Sequence, residues 1–352
     1  MKSKLILMLA FLFILKVGHS QSEVADFIRA GKDDATKLIQ AYLNPYALAL
    51  GDGLNNGWYN SAATHKLFGM DLAINVSAVM IPSSGQTFNV NEIGLSNNTR
   101  LISGGPSAPT VAGAEQDGPR MGVYLDNTEV VTFNTPQGTG FDMVPVPMAQ
   151  LTLGILPKTD LSVRYVPELS FDDDEIKLGM IGGGLKHNFK ESLPFLKHLP
   201  FDASVYVNFS TIDASGDLMF GAEEYDFEQG ISVQNNYIQD DNQQLKFKTQ
   251  TFGYGLIVSK KLSVLTVYAS AGNNKSQTDI DLKGSYPFIK DGEAINEVVI
   301  YGETDPVQLD FEASNLSLSA GLRLKLAFFS LYGSVNKSEY TSYNAGISFG
   351  FR

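Results

Sequence analysis

Few residues in this chain are suited to catalysis. Four histidines occur and there is no cysteine. Removal of an N-terminal leader would leave His65, His187 and His198. None is paired at the spacing of a helical zinc motif, and no Gly-x-Ser-x-Gly elbow presents a nucleophile. No catalytic residue, metal site or cofactor is therefore expected. A hydrolase would need a base near a nucleophile, and His65 is the histidine nearest a plausible lumen entrance; a lone histidine is more often structural. Asp172-Asp173-Asp174-Glu175 offers the oxygen ligands calcium takes, but a solvated loop tip explains it more simply. The amide-rich run Gln234–Gln244 reads as a flexible loop before a glycan site. Trp58 and Tyr59 fit either an interfacial aromatic girdle or, with His65, the lining of a ligand pocket. Those three are the candidate ligand-binding residues. Asp71, Asp202, Arg164, Lys177 and Arg323 fall opposite the apolar faces of their segments, where mixed charges could pair across a lumen and fill it.

The elements that would position these side chains are strands. Tyr343, Ala345, Ile347, Phe349 and Phe351 alternate with small or polar residues up to the C-terminus, the pattern of a strand with two unlike faces. Roughly 9–11 such residues suffice for a tilted bilayer crossing. Phe68 to Met80 repeats the pattern. Further strands are expected to start at 148, 161, 176, 201, 246, 263, 308, 328 and 342. Short connections follow Ile155, Val258 and Leu324, and long ones follow Met80, Ser210 and Gly272, the asymmetry of bacterial barrels with short periplasmic turns. Residues 82–140 alternate poorly and read as a large surface loop or part of a plug. Residues 273–307 read as a polar excursion with two strands above the membrane. Extra hairpins hidden there would raise the count.

Ahead of the strands, Ser22 to Leu43 carries apolar residues at helical spacing. Asn44-Pro45 should stop that helix, and a second short one should run from Tyr46 to Leu54. Gly51 to Gly57 lacks the Lys-Ser/Thr of a phosphate loop and reads as a tight turn.

The first twenty residues, with Lys2 and Lys4 before the apolar run Leu5 to Leu15, form a secretory signal peptide too short for an anchor. Its removal takes the net charge of −12 to about −15, which disfavours nucleic acid as a partner. No long apolar run follows, so helical spans are excluded. Soluble sandwich strands are usually shorter, about 5–6 residues.

The run Asn44-Pro-Tyr46, Gly51-Asp-Gly-Leu-Asn-Asn-Gly-Trp-Tyr-Asn60 and Thr64-His-Lys-Leu-Phe-Gly-Met-Asp71 resembles the start of an uncharacterised outer-membrane barrel family of Bacteroidetes. Leu193-Pro-Phe-Leu-Lys197 and Leu199-Pro-Phe-Asp202 resemble its mid-chain connection. The resemblance implies a fold and a location, without an activity. More distantly the chain is similar to long-chain fatty-acid outer-membrane transporters, which carry a plug and a fourteen-strand barrel; no ligand-contacting motif of theirs is matched.

The expected fold is all-β: a transmembrane antiparallel barrel of roughly ten to fourteen strands, fourteen if transporter-like. It spans residues 61–352, with residues 21–60 as a helical plug or cap at the periplasmic mouth. The expected place is the outer membrane of a Gram-negative bacterium. Expected partners are membrane lipid and lipopolysaccharide, the barrel-assembly machinery through the C-terminal strand, and a small-molecule cargo. The leading function is passive transport of small molecules, hydrophobic ones included; the alternative is a non-transporting barrel whose long acidic loops bind a surface partner.

Overall fold

A computed structural model describes residues 24–171, 176–194, 197–294 and 296–351. The leader and the acidic tip 172–175 lie outside them. Ten strands form a closed antiparallel barrel. In chain order they are β1 (Met70–Met80), β2 (Met143–Leu156), β3 (Thr159–Phe171), β4 (Ile176–Asn188), β5 (Asp202–Asp217), β6 (Gln244–Leu262), β7 (Leu265–Lys283), β8 (Gln308–Leu326), β9 (Phe329–Lys337) and β10 (Thr341–Phe351). Each pairs with its neighbour, and β10 closes on β1 from Met70↔Phe351 to Met80↔Thr341. The fourteen-strand expectation is thus corrected. The strands within 81–142 and 284–307 make small separate sheets beyond the barrel rather than further staves.

The alternation has the expected physical result. Outward residues such as Leu72, Ile74, Val205, Phe209, Leu256, Leu318 and Leu331 are exposed, while inward Asn75, Ser77, Thr152, Ser204, Asn208, Thr251 and Asn344 are buried. An apolar outside around a polar inside suits a wall facing lipid. No helix among the described residues is long and apolar enough to cross a membrane.

Lys177 departs from the reading. In β4 the register Met180↔Ile212 and Leu178↔Ala214 turns the even-numbered residues inward, and Lys177 is exposed. The upper lumen is apolar here, so the rule that apolar residues face out inverts.

A 3₁₀ turn, Asp26–Ala30, breaks at Gly31 (φ 82°) and leads into one continuous helix, α1 (Lys32–Asn55). Pro45 sits inside α1 and does not end it, correcting the expectation of two helices. Nor do Gly51 and Gly53 make a turn: both are helical. A Cβ on Gly51 would collide with the Ser276 side chain, and one on Gly53 with Val146. These glycines let the helix approach the wall closely. Of Gly51, Gly53 and Gly57, only Gly57, beyond the helix, uses a positive φ (+70°).

The direction of the segment is the main correction. Phe27, Ile28, Leu38 and Tyr42 share a core with Val90, Val123, Phe220, Phe288 and Val307, all from the long connections. Among the described residues the N-terminal segment therefore begins at the long-connection end, not at the short-turn mouth. It then descends. Thr278 donates to Ala47 O (3.2 Å), Asn55 to Lys275 O (3.1 Å), and Asn56 to Ser342 Oγ (2.8 Å). Ala62 N donates to Ser259 Oγ (2.9 Å), and Phe68 N to Gly154 O (2.8 Å) beside the first turn. The segment meets strands on opposite sides of the barrel before β1 begins.

The expected flexible amide run is partly ordered. Gln243 is fully buried and donates to Phe220 O (2.9 Å) and Ser285 O (2.7 Å).

Candidate functional site

The lower lumen is a polar lock. Inward positions of β3 and β4 deliver Asp160, Arg164 and Lys186, all buried. Arg164 donates through Nη1 to Leu54 O and through Nη2 to Asn56 O, both at 2.9 Å, and through Nε to Gln150 Oε1 at 3.0 Å. Helix C-termini leave carbonyls without intrahelical partners, and the guanidinium fork serves two of the carbonyls where α1 ends. Trp58 lies over that guanidinium, 3.8 Å from ring centroid to Cζ. Asp160 Oδ2 is 3.1 Å from His65 Nδ1 and 3.3 Å from Lys186 Nζ. Lys186 also donates to Ser61 O (3.0 Å) and Ala63 O (2.8 Å). Arg323 spans to Asp71 (3.3 Å) and Asn60 (3.0 Å).

Trp58, Tyr59 and His65 are thus brought together, around a polar void of about 30 Å³. That is room for about one water molecule. Trp58 is buried in the lumen, at 4% exposure, so the interfacial-girdle reading is corrected. Tyr59 packs on Tyr206 (5.4 Å between centroids). The recorded bonds of His65 run to Asp160, which makes it an anchor for the descending chain. Asp202 lies apart from the lock and accepts from Asn188 at 3.2 Å.

The upper lumen differs. Between α1 and the wall from β1 to β6 lies an apolar cavity of about 220 Å³. Leu43, Tyr46 and Leu50 of α1 form one side; Val146, Met148, Met180, Ile212 and Phe247 form the other. Thr249 lies at its margin, its hydroxyl paired with Thr278 at 3.0 Å. Such a space favours an apolar guest, because a polar guest would leave its hydrogen bonds unmade.

The sequence reading missed these residues. Their signal was a loss of alternation: residues 143–149 are apolar at every position, so both faces of the strand meet apolar surroundings.

Comparisons with solved structures give low-similarity matches to outer-membrane barrels. The outer-membrane protease OmpT from Escherichia coli is 9% identical, covering 83% of this chain and 100% of that one, at a TM-score of 0.31. The translocator domain of the autotransporter NalP from Neisseria meningitidis is 8% identical, covering 82% and 90%, at 0.31. The outer-membrane transporter YddB from Escherichia coli is 10% identical, covering 78% and 39%, at 0.27. At these values the matches say nothing about activity. No curated protein matches the chain in sequence. The sequence does match the Family of unknown function (DUF6588) over residues 1–351, and the chain belongs to that family.

Proposed function

We propose that this protein is an outer-membrane barrel that takes up small apolar molecules and passes them on without an energy source. In this reading the short turns face the periplasm, and the N-terminal segment is a built-in plug. The observation that carries it is the apolar cavity beside α1, above a lower lumen lined largely by Ser, Thr, Asn, aromatic and charged residues. An apolar cavity of about 150 Å³ stays dry and holds benzene, so about 220 Å³ suits a small aromatic guest. Below it, Trp58, Arg164, Lys186 and Asp160 pack the lumen, which argues against an open water-filled pore.

Binding of N-phenyl-1-naphthylamine to the detergent-folded barrel tests this reading. The wild type should enhance its fluorescence saturably. Ala214→Trp, which fills the cavity, should weaken binding about tenfold or more, a loss above 1.4 kcal/mol. Equal binding by both would defeat the proposal.

A second reading has its own observation. The long connections fold into small sheets over a shared core, as a surface that captures a partner would. Deleting residues 228–236, which lie outside the barrel strands and the cavity lining, should then abolish capture and leave hydrocarbon binding intact.

A further inference from the structure

The barrel is parted on one side, and the parting coincides with the cavity. Among the described residues the β2–β3 ladder runs from Leu156↔Thr159 only to Gln150↔Arg164. Above it β2 still pairs with β1 through Met80↔Met143, and β3 still pairs with β4 through Phe171↔Ile176. Residues 143–149 and 165–170 therefore present facing edges without a shared ladder.

The sequence explains why the ladder stops. Gly154 N donates to Gly69 O, and Asp142 O accepts from Ile81 N, so the even-numbered residues of β2 turn their backbone groups toward β1. The odd-numbered ones, Pro145 and Pro147 among them, point to the β3 side. Proline has no N–H to give there and belongs on strand edges. If the register Gln150↔Arg164 continued, Pro147 would face Pro167, and neither could donate. Pro167 also lies in the irregularity between Val166 and Leu169. An open edge in hydrocarbon is costly because its amides go unpaired, and these prolines remove three of those donors.

The cavity reaches this parting. It is lined by Val146 and Met148 from the inner face of β2, and by Met143, Pro145 and Pro147 from the outer face of the same strand. A void touching both faces of one strand passes around its edge. The outer residues bordering it are apolar, so it opens toward lipid rather than water.

We propose that the parting between residues 143–149 of β2 and 165–170 of β3 is a lateral portal, through which small apolar molecules exchange between the cavity and the bilayer. The portal rests on the reading of the cavity as a binding site. Cargo would leave sideways, which removes any need to displace the packed lower lumen.

The chain has no cysteine, so single cysteines report cleanly. In proteoliposomes, Met180→Cys inside the cavity should react with bilayer-dissolved pyrene maleimide about tenfold faster than with a membrane-impermeant sulfonated maleimide supplied on both sides, since rate follows access. Faster reaction with the impermeant reagent, or reaction with neither, would overturn the portal. Separately, Ala149→Cys with Tyr165→Cys places a disulfide at the next step of the ladder. Oxidation should slow release of preloaded N-phenyl-1-naphthylamine into vesicles about tenfold, with reduction restoring the rate. Equal release rates in both forms would overturn the portal while leaving the binding site standing. If the reduced barrel binds no probe, the binding site fails, and the portal fails with it.

Discussion

The Arg164 guanidinium sits over Trp58, its Cζ 3.8 Å from the ring centroid, while its two terminal nitrogens hold the carbonyls of Leu54 and Asn56. A strand residue thereby ends a helix inside its own barrel. Trp58 Nε1 also donates to Leu54 O at 3.2 Å, so one carbonyl gathers both partners. Replacing Arg164 by Met keeps much of the volume but takes the guanidinium donor from Asn56 O and the Gln150 oxygen and leaves Leu54 O with Trp58 alone. The expected loss is about 1–3 kcal/mol, read as a lower melting temperature of the detergent-folded barrel. Arg164→Lys should recover only part of it, because an ammonium lacks the planar fork. Unchanged melting of Arg164→Met would show that the helix end is held by other contacts.

Among the described residues, Asp160 is the carboxylate within salt-bridge distance of Lys186, at 3.3 Å. Asp160→Asn should destabilise the barrel by about 3–5 kcal/mol, because it strands a buried ammonium. Lys186→Met in the same chain should return much of that loss. A urea-unfolding cycle over the four proteins measures the coupling, and additive single effects would rule it out.

The seating of α1 depends on glycine at position 51, where a side chain would meet Ser276. Gly51→Val should cost roughly 1–3 kcal/mol through overpacking. It should also expose residues 32–55 to added protease in the folded barrel. Gly51→Val with Ser276→Gly should regain protection, and protection equal to wild type in the single variant would contradict the close approach.

Two carboxylates tie down the chain where β7 leaves the barrel. Asp305 accepts from Gly284 N (2.9 Å), and Asp240 accepts from Ser285 N (2.8 Å). Both are held below the ordinary 3.8, chiefly by these backbone bonds. A depressed folded value means the tie is present above 3.8 and is lost as pH falls below it. Amide-exchange protection of Gly284 and Ser285 should therefore drop between about pH 4 and pH 2 while the barrel ladders hold. Constant protection across that range would show that the carboxylates do not secure the turn.

Much of the barrel was legible because period-two alternation is strong wherever one face meets lipid and the other a polar lumen. The strands expected at 176 and 308 begin there, and the one expected at 148 begins at Met143. There Pro145 and Pro147 hid the first turn of the strand, and the same prolines mark the parted wall. The path of the N-terminal segment was not legible, because Pro45 and the glycines at 51 and 53 carry local signals of helix ends and turns. Packing overrode them: the helix continues because its glycines fit against Ser276 and Val146. Trp58, Tyr59 and His65 border the same small polar void, where they belong to the lock. The cavity draws on α1 and six strands, β1 to β6, an assembly that only the closed barrel creates.

The most direct measurement is a structure of the barrel soaked with bromobenzene, located by the anomalous scattering of bromine. The account predicts a bromine peak among Met148, Met180, Ile212 and Phe247, lost in Ala214→Trp. A fully occupied peak elsewhere, with this cavity empty, would contradict it.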